Sequence, residues 1–472
     1  MRTEHLKTFA QTAAHVAFAL MVVTGLLFSV GCGGAGSNLS AGPTPTPGTG
    51  GGAANTQVRF GDAPADSVIS FEVSVSSLSL TPSDGGQAVN VSVPANNRIE
   101  LTHQSGKFEP FVTGNLPQGT FSAANLTLVN SELTFLNSSG VPVHINGPAS
   151  ASISVPLNPA VTIGGSPLVL SIDVNVANSV TLSGGTINGI SFGPTSFNIT
   201  AKAPGAQANQ QDDDGEIEDV QGTVTAVNGT NFTLKIGTGA SLDFTTDGAT
   251  EFKDGVTGVA ALLNQVVTVE GFTRSDGSLY AKEVEGNENE NGGEIEGLIT
   301  SISGTTLTIT AQDGSGNGMD DNKMGASFSV NIAGLKASKF RVNLGNGFGG
   351  ANLPSASFPF DATTIHQGQR VEVDTDVALP PANGNIQVDK IKLQQQGISG
   401  SVSNLAADGS TFDLTLAADS ALAVISGQTV VHVTRVAGTD SRVTVANGSN
   451  VRVRGLLFWN GSSWQMIARR IR

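Results

Sequence analysis

The sequence predicts an all-β protein: an N-terminal antiparallel β-sandwich followed by three small OB-like β-barrel repeats. Three observations predict it. Apolar residues recur mainly at every second position, as in Phe71-x-Val73-x-Val75 and Leu168-x-Leu170-x-Ile172-x-Val174-x-Val176, which is the pattern of half-buried strands. Glycine is abundant, 59 of 472 residues, and with Pro and Asn it breaks these runs into short strands joined by turns. Four landmarks then recur in the same order three times in the second half of the chain, the mark of a reused structural unit.

The chain opens with an export signal. Arg2 and Lys7 supply a basic start, Val16 to Phe28 forms an apolar run, and Ser29-Val30-Gly31-Cys32 ends it with small residues. The run is shorter than the roughly 20 residues that a membrane-spanning helix needs, so residues 1–31 read as a cleaved signal peptide. The segment resembles the lipobox of bacterial lipoproteins, with Ser29 where Leu is usual. That resemblance implies acylation of Cys32 and a membrane anchor. Gly33 replaces the Asp that retains lipoproteins at the inner membrane in the familiar Gram-negative sorting pattern, which points to the outer membrane of the cell envelope. Cys32 is the single cysteine, so no disulfide forms within one chain and stability rests on β-sheet cores. Residues 32–55, with Pro43-Thr44-Pro45-Thr46-Pro47, read as the lipidated Cys and a solvated tether.

Residues 56–203 read as the sandwich. Gly61-Asp62-Ala63-Pro64, the alternating strand after it, and the turn Leu116-Pro117-Gln118-Gly119 resemble a bacterial lipoprotein domain family of unknown function. Its Asp-Ala-Pro opening leads into a prealbumin- or immunoglobulin-like sandwich, and the resemblance implies no known activity. An acidic, Gln-rich linker follows at residues 204–216.

The barrels are placed at residues 217–286, 294–396 and 397–472. Each copy opens with an apolar-x-Gly-x-apolar strand: Val220-x-Gly222-x-Val224, Ile295-x-Gly297-x-Ile299 and Ile398-x-Gly400-x-Val402. Then come Phe232-x-Leu234, Leu307-x-Ile309 and Phe412-x-Leu414, later Val267-x-Val269, Val371-x-Val373 and Val451-x-Val453. Leu279-x-Ala281-x-x-Val284, Ile386-x-Val388-x-x-Ile391 and Met466-x-Ala468-x-x-Ile471 close the copies. Gly222, Gly297 and Gly400 are read as permitting the tight bend or bulge that closes a small barrel. The copies resemble a repeated domain family of unknown function, common in exported bacterial proteins, with an OB-like barrel. In that family Gly follows the third landmark. Gly271 and Gly455 match, whereas the second copy has Asp374-Thr375 and an insertion from Ala311 to Phe360.

Chemistry is sparse. Gly345-x-Gly347-x-x-Gly350 matches a dinucleotide fingerprint in form only, since Ala351-Asn352-Leu353-Pro354 opens no amphipathic helix to receive a pyrophosphate. Asp313-x-Ser315-x-Asn317-Gly318, with Asp320 and Asp321 nearby, resembles half a calcium loop, but Met324 stands where an EF-hand has its bidentate Glu. The reading is a solvated hairpin loop, with calcium binding left open. His103, His144, His366 and His432 share no metal-ligand spacing, and no nucleophile motif occurs. No catalytic residue, metal or cofactor is therefore assigned.

The net charge of −15 argues against nucleic acid as a partner. The last copy departs from the acidic trend with Arg435, Arg442, Arg452, Arg454, Arg469, Arg470 and Arg472, and it holds both tryptophans, Trp459 and Trp464. Two readings follow: a cross-strand aromatic pair pinning the final hairpin, or a ligand-binding patch of Trp459, Trp464, Arg469, Arg470 and Arg472. The functional expectation is a lipid-anchored, non-enzymatic binding or structural module whose ligand is a glycan, polymer or partner protein. The alternative is an envelope hydrolase with a carboxylate site that sequence spacing does not reveal.

Overall fold

Phe71, Val73 and Val75 turn inward from the strand Val68–Pro82 and are buried, while antiparallel pairing with Gly119–Leu136 extends their sheet. The computed structural model describes residues 53–63, 67–94, 97–104, 107–183, 186–206, 214–236, 239, 241–286, 292–344 and 358–472. The signal peptide, Cys32 with most of its tether, residues 207–213 of the linker, and Gly345, Gly347 and Gly350 lie outside the described residues.

The sandwich packs two main sheets, beside which Val180–Ser183 and Thr186–Ile190 form a small two-stranded ribbon. In one, Val89–Val91, Val68–Pro82, Gly119–Leu136 and Pro142–Asn146 are successive neighbours, with Arg98–Glu100 and Ser150–Ile163 paired to the two long strands. The other is ordered Phe197–Lys202, Leu168–Asn175, Ala53–Ala63, Phe108–Pro117. A shared apolar core including Val58, Phe71, Leu126, Leu128, Leu170 and Ile172 fills the space between them. The antiparallel expectation needs one correction, because Ala53–Ala63 and Leu168–Asn175 run parallel. The chain builds the opposite sheet between these two strands, and such a long connection is what a parallel pair requires. Pairing also starts at Ala53, with Ala54 opposite Leu116, so the end of the tether segment is already strand.

The next sheet forms a circuit. Glu216–Asn228 lies between Asn231–Ile236 and Val266–Thr273. Ser241–Thr245 flanks the former and Leu279–Gly286 the latter, and these two outer strands meet in parallel. The last sheet has the same connectivity as a closed five-stranded barrel of Gln395–Ser403, Thr411–Thr415, Val430–Ser441, Trp464–Ile471 and Asn450–Trp459. The middle sheet follows it with an interrupted closing strand. Gly293–Ser303, Thr306–Gly316 and Ser327–Asn331 pair in succession, Arg370–Asp374 flanks the first, and Asn385–Ile386 and Lys390–Leu393 divide the closing role. The expected insertion from Ala311 to Phe360 is thereby corrected: it contains the end of this sheet's second strand and all of its third.

The recurring glycine has a steric cause. A Cβ on Gly222, Gly297 or Gly400 would fall 2.4, 2.1 or 2.5 Å from the carbonyl oxygen of Lys235, Thr310 or Thr415 on the adjoining strand. Close backbone approach excludes a side chain there. Gly271 and Gly455 sit at register shifts in their ladders, whereas Arg370–Asp374, which lacks that glycine, pairs with Lys390–Leu393 without a shift.

Apolar packing continues across the domains. The core of the middle sheet extends onto Leu456, Phe458 and Ile467 of the last barrel. Ile69, Leu136, Leu298, Ala421 and Ile425, drawn from three domains, form a separate cluster. Ala421 and Ile425 belong to the short helix Ala421–Ser426, which Ser420 caps at its start and Gly427, at φ 70°, ends in the left-handed region.

Candidate functional site

The final hairpin faces protein. Trp459 and Trp464 stand opposite one another on its two strands, edge to face with ring centroids 5.1 Å apart. Trp464 is fully buried. His366 of the middle barrel packs on both rings, 4.3 Å from Trp459 and 5.1 Å from Trp464. Arg469 Nη2 lies 2.9 Å from both Glu216 Oε1 and Glu218 Oε1. Arg470 Nη2 reaches Glu216 Oε2 at 2.8 Å, and its Nε lies 3.4 Å from Asp440 Oδ2. Arg472 is half-buried, hydrogen-bonds through its backbone with Arg452, and feels the charge of Asp173 on the sandwich.

Of the two sequence readings of this hairpin, an aromatic pair or a Trp/Arg patch, the structure shows the first, while Trp459 and Arg472 stay half-buried. The cross-strand pair is present, and Trp464, Arg469 and Arg470 are buried where other domains cover the hairpin. Glu216, read as the end of a linker, is a strand residue. Burial and the neighbouring Glu218 push its carboxyl up to about 7 against Arg470 and Arg469. Burial also opposes the charge on Glu218, but Arg470 and Arg469 outweigh it and hold that carboxyl well below the usual range.

A second charged cluster joins the sandwich to the other two barrels. The turn Thr102–Gln104 carries His103 between the strands Arg98–Glu100 and Phe108–Pro117. Glu100 fixes this turn: its carboxylate accepts from the backbone N–H groups of Phe71 and His103, each at 2.7 Å, and from Thr102 Oγ1 at 2.7 Å. His103 Nδ1 lies 3.1 Å from the Glu100 carbonyl, which leaves Nε2 to face carboxylates. Nε2 is in close contact with Glu109 Oε1 and 3.5 Å from Asp313 Oδ2. Lys107 Nζ lies 2.8 Å from Glu109 Oε1 and donates to the Asp219 carbonyl of the first barrel at 3.2 Å. Arg370 of the middle barrel donates to the His103 carbonyl at 2.8 Å.

All of these side chains are buried, and the electrostatics follow from that. Burial opposes a charge on His103, yet Glu109, helped by Asp313 and opposed by Lys107, holds the imidazole up at about 10. Burial would likewise raise Glu109, but His103 and Lys107 keep it ionised far below the usual range. Burial pushes Asp313 up to about 6, with His103 opposing and Glu109 reinforcing. A cavity of about 50 Å3 adjoins the cluster, lined among others by Gln104, Glu109, Asp313, Ile236 and Met324.

Two sequence expectations change here. His103 shares no metal-ligand spacing with another histidine in the sequence, but the fold brings Glu109 and Asp313 to its ring. The signal within reach was Glu100-x-x-His103 followed by Glu109; Asp313 comes from another domain and carries no spacing. The half calcium loop is also corrected. Asp313 and Ser315 lie in the strand Thr306–Gly316 and are buried, because the sandwich covers that strand, while Asp320 pairs with Lys323 at 2.8 Å. Of the other histidines, His432 is on the surface beside Asp413, His144 is half-exposed, and His366 belongs to the aromatic joint.

Residues 221–285 match the model of a domain of unknown function (DUF5666), the segment that forms the first barrel circuit. No curated protein matches the chain.

Proposed function

We propose that the chain is a lipid-anchored, non-enzymatic binding or structural module of the cell envelope. In this reading Cys32 carries the acyl anchor at the outer membrane, and a sandwich and three copies of one barrel form the body that the anchor holds. The shared strand connectivity of the three sheets supports the count of three copies. The observation that carries the functional reading is the placement of charge: the clustered Arg, His and carboxylate side chains lie in domain joints and tie the body together. An open cleft of about 510 Å3 is lined by Phe135, Leu136, Val180, Leu182, Ile187 and Val424 among others. It has the size of a ligand pocket, and its apolar lining suits a partner protein better than a glycan.

The hydrolase alternative keeps one observation in its favour, the pairing of His103 with Glu109 and Asp313. The adjoining cavity of about 50 Å3 has room for a few waters rather than a sugar ring. The test uses the exported full chain. The wild type should fractionate with membranes and the Cys32→Ala variant should not; membrane retention of the variant overturns the anchor. The chain should leave glycan and ester substrates unchanged. Turnover that disappears in Glu109→Gln overturns the non-enzymatic reading.

A further inference from the structure

We propose that His103, Glu109 and Asp313 form a divalent-cation site, with Zn2+ the best-matched ion, that clamps the sandwich to the middle barrel. His103 and Glu109 come from the sandwich, and Asp313 comes from the barrel's second strand. One ligand atom from each residue lies within 4.8 Å of the others. Zn2+ bonds to His nitrogen and carboxylate oxygen are about 2.0–2.2 Å long, which sets two ligands of a tetrahedral ion about 3.4 Å apart, so Glu109 must draw back slightly from His103 to admit the ion. The 3.5 Å between His103 Nε2 and Asp313 Oδ2 already suits two ligands on one tetrahedral ion.

The surroundings supply what a cluster of ligands alone does not. The Nδ1 contact with the Glu100 carbonyl orients the ring with Nε2 toward the carboxylates, which is how metal-binding imidazoles are held. Glu100 is itself fixed by three hydrogen bonds. The buried Gln104 donates from Nε2 to Glu109 Oε2 at 3.3 Å, and its buried Oε1 has no hydrogen-bond partner. That oxygen, or a water in the adjoining cavity, completes four-coordination. Lys107 engages the same Glu109 oxygen that His103 meets, Oε1, so an ion bound there displaces the lysine contact, and one bound at Oε2 displaces the Gln104 contact. A cation here takes the place of the proton on His103 Nε2, which leaves to solvent.

The experiment uses the full chain, freed of metal with a chelator and titrated with Zn2+ while bound metal and melting temperature are followed. One Zn2+ per chain and an upward melting shift are expected. His103→Gln and Asp313→Asn should each weaken binding at least tenfold, whereas His432→Gln, at the surface His–Asp pair, should leave it unchanged. Co2+ added to the wild type should give the intense visible absorption of four-coordinate cobalt, a readout that needs no variant to fold. No uptake by the wild type overturns the proposal. So does uptake that persists in a folded Asp313→Asn variant, or that is lost only in His432→Gln.

Discussion

Trp464 meets His366 edge-on, with ring centroids 5.1 Å apart and planes at 88°, although the two residues belong to different barrels. The aromatic residues concentrated in the final hairpin therefore form a socket for the middle barrel. Gly368 follows the same constraint: a Cβ there would fall 2.5 Å from Leu422 Cδ1 and 3.4 Å from Trp464 Cζ2.

This contact predicts an asymmetry between the two tryptophans. Trp464→Ala opens a cavity in a fully buried place and should cost about 3–5 kcal/mol. Trp459 is only partly buried, so Trp459→Ala should cost less than half of that. Urea unfolding followed by circular dichroism measures both. Equal losses would show that the socket depends on the pair and not on the burial of Trp464.

The barrel glycines predict a second contrast. Gly297→Ala places a methyl group 2.1 Å from the Thr310 carbonyl oxygen, so the first two strands of the middle barrel must part, at about 1–3 kcal/mol. Gly164→Ala meets nothing within 4 Å and should change stability by less than about 0.5 kcal/mol. Thermal melts of the two variants decide the matter. A neutral Gly297→Ala would mean that the recurring glycine is not held by close strand approach.

What the sequence made legible was the local part of the structure. Alternation at Phe71, Val73 and Val75 marked the face that enters the sandwich core. The other face of the same strand, with Ser70 and Glu72, is also buried, because the middle barrel covers it. Gln312 donates there to the Ile69 carbonyl across 243 positions of sequence, and periodicity carries no trace of so distant a cover. The same limit applies to the sites. Trp459 and Trp464 could be paired from hairpin spacing, but the His366 ring against them could not. Arg469 and Arg470 looked like a free basic edge because their partners, Glu216 and Glu218, lie on the first barrel. An acid-rich segment next to a linker reads as solvated until the fold shows what faces it.

The Arg470 joint predicts a strong energetic coupling. Arg470→Met leaves Glu216 and Glu218 buried with less compensation and should cost about 3–5 kcal/mol. Replacing Glu216 by Gln in the same chain should recover part of that loss, giving a non-additive double-mutant cycle. Additive losses would place the two residues outside one network.

The same joint predicts how stability varies with pH. Glu216 has its carboxyl raised to about 7 by burial and by Glu218, against Arg470 and Arg469, while in the unfolded chain it titrates near 4.3. The folded state thus holds a proton that the unfolded chain releases. Linkage then makes the contribution of Glu216 fully present below about pH 4.3 and progressively lost as pH rises through 7. Glu218 has the opposite sign: its carboxyl is depressed, so its contribution is present above the unfolded value and disappears in acid. Glu216→Gln removes the first dependence and leaves the second. The variant should therefore show a flatter stability profile than the wild type between pH 4.5 and 7 and the same loss below pH 4. Denaturant midpoints at half-unit pH steps measure both limbs. Parallel profiles in the upper window would mean that Glu216 is ionised in the folded protein throughout that range.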